Sequence, residues 1–302
     1  MDVYWWAEVM TIITIPIYGI TILAEILVSH YQYQKVYQGK DTFNNVFFTI
    51  LNLGMDALAR GGFLFIMAFV YQFKLINWGV HGWQQIIYWI AVILLTDLAY
   101  WAVHWMGHMV RLFWAVHVIH HSSKEFNITV GFRSSVFEPL YRGIFFVPLA
   151  LLGFSAADVM LAFAIQQLYG ALIHTKLIDK MGFLEHFMVT PSHHRVHHGS
   201  NPKYLDKNMG MIFIFWDKIF RTFEPEDPNN KVIYGLTQNY TFSNPLRILF
   251  EEFRIIWQDV KKAPGLRNKL MYIFGPPGWS HDGSRKTSKE LVLEEIRLKK
   301  TS

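Results

Sequence analysis

Long apolar stretches dominate the first 175 residues and alternate with short polar ones. Residues 5–28, 48–73 and 84–103 are each long enough to cross a bilayer as one helix, because a crossing needs about 20 mainly apolar residues. Residues 140–173 are also apolar, but the turn-forming sequence at 153–158 divides them into two halves that are each short for a crossing. The pattern predicts about four membrane spans or hairpins, the last of which does not have to cross fully.

The chain becomes more polar after residue 175. Residues 211–220 are apolar but too short for a crossing, and they predict a core or interfacial helix. Apolar residues recur at helical spacing through 246–262, which predicts a further helix. We expect an all-α integral membrane protein in which residues 1–275 form one membrane-embedded domain with a helical cap. Residues 276–302 are expected to form a charged C-terminal tail.

Basic residues follow three of the apolar stretches and predict the orientation in the membrane. They are Lys35 and Lys40 after the first stretch, Arg111, Lys124, Arg133 and Arg142 after the third, and Lys176, Lys180 and Arg195 after the hairpin. Short loops rich in Lys and Arg stay on the cytoplasmic side, and only Lys74 argues against this arrangement. We therefore expect the cap on the cytoplasmic face of a bacterial inner membrane or of the endoplasmic reticulum.

The composition agrees with a membrane protein and excludes several other classes. Hydrophobic residues make up 52% of the chain and charged residues only 17%, which is more apolar than ordinary globular usage. The net charge of +5 is modest and spread along the chain, so it does not indicate a nucleic-acid partner. The chain has no cysteine, which excludes disulfides, thiolate ligands and iron–sulfur clusters but fixes no compartment.

Eight histidines fall in three short clusters at the spacing of metal ligands. The clusters are His104-x-x-x-His108, His117-x-x-His120-His121 and His194-x-x-His197-His198. A spacing of three or four residues places side chains on one face of a helix, and imidazole ligates iron, zinc and copper. A single tetrahedral zinc site uses about four ligands. The clusters therefore predict a centre that holds two metals.

Three further residues lie where they could extend or support this centre. His174 ends the apolar hairpin, and it is either a ninth ligand or an ordinary helix-end residue. His193 adjoins His194 but points elsewhere on a helix, so we expect it to support a ligand rather than to be one. Asp97 lies seven residues before His104, and its carboxylate either accepts a hydrogen bond from a ligand imidazole or bonds a neighbouring helix.

Two other classes of protein would also use histidine clusters. A zinc-dependent hydrolase needs about three protein ligands and one open position, so eight histidines exceed its requirement. A metal transporter or sensor would need a polar path through its spans, and Asp56, Arg60 and Asp97 offer little of one. A two-metal centre beside a bilayer instead suggests oxidation of a lipid C–H bond, and metal analysis followed by an O2-dependent lipid assay would separate these three classes.

Several short segments around the clusters are distinctive. They are His120-His121-Ser122-Ser123, Ile173-His174-Thr175, Thr190-Pro191-Ser192-His193-His194-Arg195-Val196-His197-His198-Gly199, Asp206-Lys207-Asn208 and Trp216-Asp217-Lys218-Ile219-Phe220. Together with the clusters, they resemble the fatty acid hydroxylase/sterol desaturase superfamily, and most closely its alkylglycerol monooxygenase branch. The resemblance covers roughly residues 85–245.

The resemblance implies a specific chemistry. Proteins of this superfamily hold two non-haem irons with the clustered histidines and use O2 to oxidise a lipid, and the branch hydroxylates the ether-linked carbon of alkylglycerols with electrons from tetrahydrobiopterin. A sterol or fatty acyl hydroxylase or desaturase is the alternative within the superfamily. Because the sequence has no Gly-rich nucleotide fingerprint and no haem-attachment motif, we expect an external electron donor. The oligomeric state does not follow from the sequence.

Overall fold

The structure, a computed structural model, describes the backbone of residues 3–32, 35–78 and 81–301 and the side chains of residues 12–32, 35–78 and 81–299. Every regular element within these ranges is a helix. The α-helices are α1 (Val3–Tyr31), α2 (Gly39–Tyr71), α3 (Trp83–Met109), α4 (Arg111–His121), α5 (Ile128–Gly131), α6 (Pro139–Leu151), α7 (Ala156–Leu172), α8 (Pro191–His197), α9 (Phe215–Ile219), α10 (Pro245–Lys262), α11 (Gly265–Phe274) and α12 (Ser288–Thr301). Short 3-10 helices cover Gly182–His186 and Pro202–Tyr204. The predicted all-α class is confirmed.

Three of these helices are long and apolar enough to cross a membrane. They are the Ile12–Tyr31 part of α1, the whole of α2 and the whole of α3. In α3, 44% of the apolar window is buried inside the protein, against 11% in α1 and 6% in α2. Helix α3 is therefore the central helix, while α1 and α2 leave their apolar side chains on the outside for lipid.

The predicted hairpin is formed by α6 and α7, which are too short to count as spans of their own. Its turn lies against the α2–α3 connection, because Leu75 N donates to Leu151 O at 2.7 Å and Trp78 Nε1 donates to Leu152 O at 2.8 Å. Gly153 occupies this turn with φ +87°, and a Cβ there would lie 2.1 Å from the carbonyl oxygen of Ile76. Only glycine fits both the backbone conformation and the close contact.

The transmembrane core lies between α3 and the hairpin. Val92 and Val103 of α3 pack there with Phe146 of α6 and Val159 of α7. This packing places the C-terminal end of α3, which carries His104 and His108, beside the C-terminal end of α7, which is followed by His174. The side of the membrane on which this end lies remains a prediction.

The prediction of one helix over residues 211–220 is wrong in extent. Only Phe215–Ile219 is helical, and the residues before it form a loop. The backbone N–H groups of Ile212 and Phe213 donate to Asp97 at 3.0 and 3.1 Å, in place of helical bonds. The carboxylate thus holds an extended loop where the apolar pattern alone predicts a helix.

Three helices, α10 to α12, lie after residue 240. The predicted helix over 246–262 is confirmed as α10, and Asn244 caps it by accepting from Arg247 N at 3.0 Å. The charged segment after residue 275 contains α12, which packs against the 3-10 helix Pro202–Tyr204. Within this segment Arg285 pairs with Asp259 of α10 at 2.7 Å. The division of the chain at residue 275 into domain and tail stays a prediction.

Candidate metal centre

Nine histidines converge in the interior at one end of α3, and they form two groups. One group contains His104, His108, His117, His121 and His197, and the other contains His120, His174, His194 and His198. Within each group one ring nitrogen from every residue lies within 4.8 Å of the others. The structure thus brings together all eight clustered histidines and adds His174, for which the sequence left two roles open.

A sharp break between α3 and α4 makes the first two clusters face each other. Val110 has an extended backbone (φ −118°, ψ 120°) between the two helices, so the chain turns there and α4 folds back along α3. Arg111 N, which the break frees, donates to Gly275 O at 2.9 Å. Gly107 permits the close approach, because a Cβ at this position would lie only 3.3 Å from the ring of His117.

Most of the rings are held from behind by an acceptor on the protein. Six Nδ1 atoms lie within hydrogen-bond distance of one: His104 with Met209 O (2.8 Å), His108 with Asp206 Oδ1 (3.3 Å), His117 with Ser135 Oγ (3.3 Å), His120 with Arg133 O (3.1 Å), His174 with Gly170 O (2.7 Å) and His197 with Lys207 O (2.9 Å). A carbonyl or carboxylate oxygen only accepts, so Nδ1 carries the proton in those cases. The lone pair of Nε2 is then directed into the group, as in metal-ligating histidine.

Several inner nitrogens have no protein donor to satisfy them. The buried Nε2 atoms of His104, His108, His197 and His198 have no hydrogen-bond partner among the described residues. The Nε2 atoms of His120 and His174 face each other at 3.3 Å, and in both rings Nδ1 carries the proton because it faces a carbonyl oxygen. Buried unpaired acceptors are costly, and facing lone pairs repel. A cation in each group removes both penalties, so the residues fit a metal centre.

The electrostatics of the groups also suit metal binding. Burial lowers the pKa of six imidazoles well below the usual value, and neighbouring imidazoles lower it further. Three of them belong to α4 and three to α8 and the residue after it: His117, His120, His121, His194, His197 and His198. The rings are therefore neutral near pH 7, which is the form that binds metal. A set of imidazoles without thiolate favours iron, zinc or copper.

Asp97 makes no contact with a histidine among the described interactions. Its side chain is fully buried and accepts from the backbone of Ile212 and Phe213. The same loop begins at Met209, whose carbonyl accepts from His104. Asp97 is thus connected to a predicted ligand through the loop, three residues away, rather than by a direct bond.

His193 lies outside both groups. Its Nδ1 is 3.2 Å from Met188 O and 3.4 Å from Thr190 N, and the Thr190 side chain in turn caps the start of α8. His193 therefore belongs to the cap of the helix that carries the third cluster. Its expected supporting role stays a prediction.

Sequence reasoning missed two buried residues that hold the centre in place. Asp217 accepts from Met209 N at 2.7 Å and from Gly210 N at 2.8 Å, so it fixes the other end of the loop that Asp97 holds. Arg133 is buried and donates to Ile119 O at 2.7 Å, while its own carbonyl orients His120. Asp217 belongs to the distinctive segment Trp216–Phe220, so the sequence offered a signal that this residue matters. No spacing rule indicates a structural role for Arg133.

Two cavities border the centre on different sides. The larger, of about 460 Å³, is lined by His108, His121, His197 and His198 and by residues of α10 and of the segment that ends in α12. The smaller, of about 50 Å³, is lined by the five other histidines together with residues such as Tyr100, Glu138 and Met211. The centre is therefore reached from two directions.

Known proteins resemble the part of the chain that carries the centre. Residues 89–222, which include all nine histidines, match the family model "Fatty acid hydroxylase". Human alkylglycerol monooxygenase is 42% identical over 213 residues, which are 70% of this chain and 47% of that protein. The alkylglycerol monooxygenase of Caenorhabditis elegans is 33% identical over 234 residues, 71% of this chain and 44% of that protein.

A more distant relative has a different name. The ornithine lipid hydroxylase OlsE of Rhizobium tropici is 25% identical over 218 residues, 68% of this chain and 65% of that protein. The chain spans about half the length of the alkylglycerol monooxygenases that it matches. No solved structure matches it. The resemblance predicted from the sequence is confirmed.

Proposed function

We propose that this relative of the fatty acid hydroxylases is a membrane-bound di-iron monooxygenase that hydroxylates the ether-linked carbon of alkylglycerols. The observation that carries the proposal is the pair of buried groups of neutral imidazoles at the end of an apolar helix bundle. The names of the relatives that are 33% and 42% identical support the substrate. We propose one iron for each group, held by His104, His108, His117, His121 and His197 and by His120, His174, His194 and His198.

The reaction balances with an external donor. Bound iron would supply the activation of O2; one oxygen atom enters a C–H bond of the lipid and the other leaves as water, which requires a pair of electrons and a pair of protons. A hydroxyl group on an ether carbon is a hemiacetal, which collapses to an aldehyde and an alcohol. We propose tetrahydrobiopterin or a redox protein as donor, because the chain carries no cofactor-binding fingerprint of its own.

The protein contributes orientation and exclusion of water. The carbonyl groups of Met209 and Lys207 accept from His104 and His197, which fixes the tautomer and the direction of each ring. Such partners of metal ligands support both metal affinity and activity. Burial of eight rings and partial burial of His120 limit the contact of water with the ligands to the cavities that border the centre. The irons would therefore be held in a fixed geometry before O2 and lipid arrive.

The two cavities suggest separate routes for lipid and donor. Tyr100, which lines the smaller cavity, precedes His104 on α3 and is nearer to the apolar middle of that helix. We propose that this cavity receives the carbon to be oxidised; its volume accommodates about one or two water-sized groups and not a whole alkyl chain. The larger cavity, bordered by polar segments of the cap, is proposed to admit the donor from the cytoplasmic side.

A second candidate is hydroxylation of an ornithine lipid. It is favoured by the relative OlsE, because the alignment covers 65% of that protein, more than of any alkylglycerol monooxygenase in the comparison. The identity of 25% is lower, however, and the metal centre itself does not distinguish the two lipids. The substrate must therefore be determined by assay.

The experiment uses the full chain, purified in lipid nanodiscs. Metal analysis is followed by incubation with O2 and either an alkylglycerol or an ornithine lipid, with tetrahydrobiopterin or with a ferredoxin or cytochrome b5 system. The same preparation of His197→Ala is the control. Iron together with aldehyde release from the alkylglycerol supports the proposal. Product from the ornithine lipid alone supports the second candidate, and zinc without O2 uptake refutes both.

A further inference from the structure

Helices α10 and α11 present an apolar face that nothing in the described part of the chain covers. On α10, Leu246, Phe250 and Trp257 lie on one side and are 56%, 51% and 60% exposed. On α11, Leu266 and Phe274 continue the exposed apolar surface. Large exposed apolar patches mark interaction sites. Both helices follow the segment that matches the fatty acid hydroxylase family model, so that match assigns them no role.

The charges of α10 are divided between its two sides. Two acidic side chains face inward, since Glu252 and Asp259 pair with the buried Arg111 at 2.9 and 2.7 Å, whereas the third, Glu251, pairs with the exposed Arg254 at 2.7 Å. Four exposed basic side chains lie along one side of the apolar face and outnumber Glu251, which pairs with two of them; they are Arg247, Arg254, Lys261 and Lys262. The outer surface of the helix is thus apolar and cationic. This combination is typical of helices that lie on anionic bilayers.

The position of α10 agrees with a membrane surface. Asn44 Nδ2, in the first turns of α2, donates to Ser243 O at 3.1 Å, just before α10 begins. Phe48 of α2 packs with Ile248 of α10 in one cluster. These first turns of α2 already expose apolar side chains, since Phe43 is 63% exposed. The apolar outer surface of α2 therefore lies next to the start of α10.

We propose that α10 and α11 form an interfacial hairpin that lies on the bilayer crossed by α1–α3. Phe250, Trp257 and Leu270 would enter the boundary between headgroups and acyl chains, and Lys261 and Lys262 would contact anionic lipid phosphates. Tryptophan is enriched at this depth of a membrane. The proposal goes beyond the proposed oxygenase function and does not depend on it.

The contact has a consequence for the metal centre. Arg111, which Glu252 and Asp259 hold, is the first residue of α4, the helix that carries three of the nine histidines. Glu252 and Ile255 of α10 also line the larger cavity. Helix α10 would thus contact the membrane surface on one side and the larger cavity and α4 on the other.

The absence of native cysteine permits a direct test. Phe250→Cys and Trp257→Cys are labelled with an environment-sensitive fluorophore, and Gln258→Cys is the matched control, because it is also exposed but lies beside the apolar stripe. The proteins are placed in nanodiscs that contain anionic lipid with brominated acyl chains. Burial of about 5–10 Å predicts quenching at 250 and 257 that is at least about twice that at 258. Aqueous iodide should give the opposite order.

Two results would overturn the proposal. One is equal lipid quenching at 257 and 258. The other is protection of the label at 257 from both lipid and aqueous quenchers, which would mean that a second copy or another protein covers the face. A further variant, Lys261→Gln with Lys262→Gln, should reduce the difference in quenching between anionic and zwitterionic nanodiscs, and an unchanged difference would contradict the role of the charges. None of these readouts requires turnover.

Discussion

Replacing Asp97 by Asn tests whether a carboxylate that touches no histidine still controls the metal centre. The carboxylate accepts from two backbone N–H groups, those of Ile212 and Phe213. An Asn amide can satisfy one of them and turns its NH2 group towards the other, so one charge-assisted bond is lost, at a cost of about 1.5–3 kcal/mol. The loop that it holds presents Met209 O to His104. If this cost is transmitted to the ring, metal affinity and activity fall roughly 10–100-fold.

The assay compares Asp97→Asn with Asp158→Asn. Asp158 also accepts hydrogen bonds from side chains, those of Tyr88 and Ser155, but it lies in the first turn of α7, at the opposite end of that helix from His174. For each variant we would measure iron per chain after dialysis against a graded chelator, the thermal midpoint, and turnover at saturating iron. We expect Asp158→Asn to lower the midpoint only, and Asp97→Asn to lower the midpoint and weaken iron binding.

One outcome would refute the reasoning. If both variants lose thermal stability to a similar degree while Asp97→Asn retains normal iron affinity and turnover, then the loop does not transmit its position to His104. Asp97 would then serve only to join α3 to the loop before α9, which is the packing role that the sequence also allows. Partial rescue of turnover by excess iron would instead support the role in metal binding.

Three further predictions concern the ligands, the topology and the packing around the centre. His120→Ala should remove most of the bound metal and all activity, while the exposed lone His186→Ala should retain both; metal analysis with full occupancy in the first variant would reject the assignment. Lys124→Cys should react with an impermeant thiol reagent only from the cytoplasmic side, and labelling of sealed cells from outside would reverse the topology. Gly131→Ala places a Cβ 2.8 Å from the backbone of Ala171 in α7 and 3.0 Å from the ring of His174. We therefore expect the variant to lose about 1–3 kcal/mol of stability and to displace the His174 ring. Gly54→Ala meets nothing within 4 Å, so it should lower neither stability nor metal content, because alanine is favoured over glycine inside a helix.

The sequence predicts the helices of this protein well because their signals are local. A run of about 20 apolar residues has few stable forms other than a crossing helix, and the three predicted spans are found as apolar parts of α1, α2 and α3. The failure at 211–220 has the same origin. Its apolar residues resemble a helix, but the carboxylate that holds the loop stands more than a hundred residues earlier, at position 97.

The histidine clusters illustrate both the reach and the limit of spacing. Helical periodicity places His104 near His108 and His117 near His121 on single helix faces. It does not determine that His120 turns away from its neighbours towards His174 and His194. That sorting follows from where α4, α7 and α8 meet.

Three features could be predicted from the sequence because each depends on residues within a few helical turns: the helices, the apolar stretches of membrane length, and imidazole clusters with the spacing of metal ligands. Three other features follow from the packing of distant segments: the division into groups of five and four, the inclusion of His174, and the acceptors that orient the rings. Those features depend on chain reversals at Val110 and at the hairpin and on contacts between distant segments. Periodicity describes one face of one helix, whereas a metal centre requires several helices to converge.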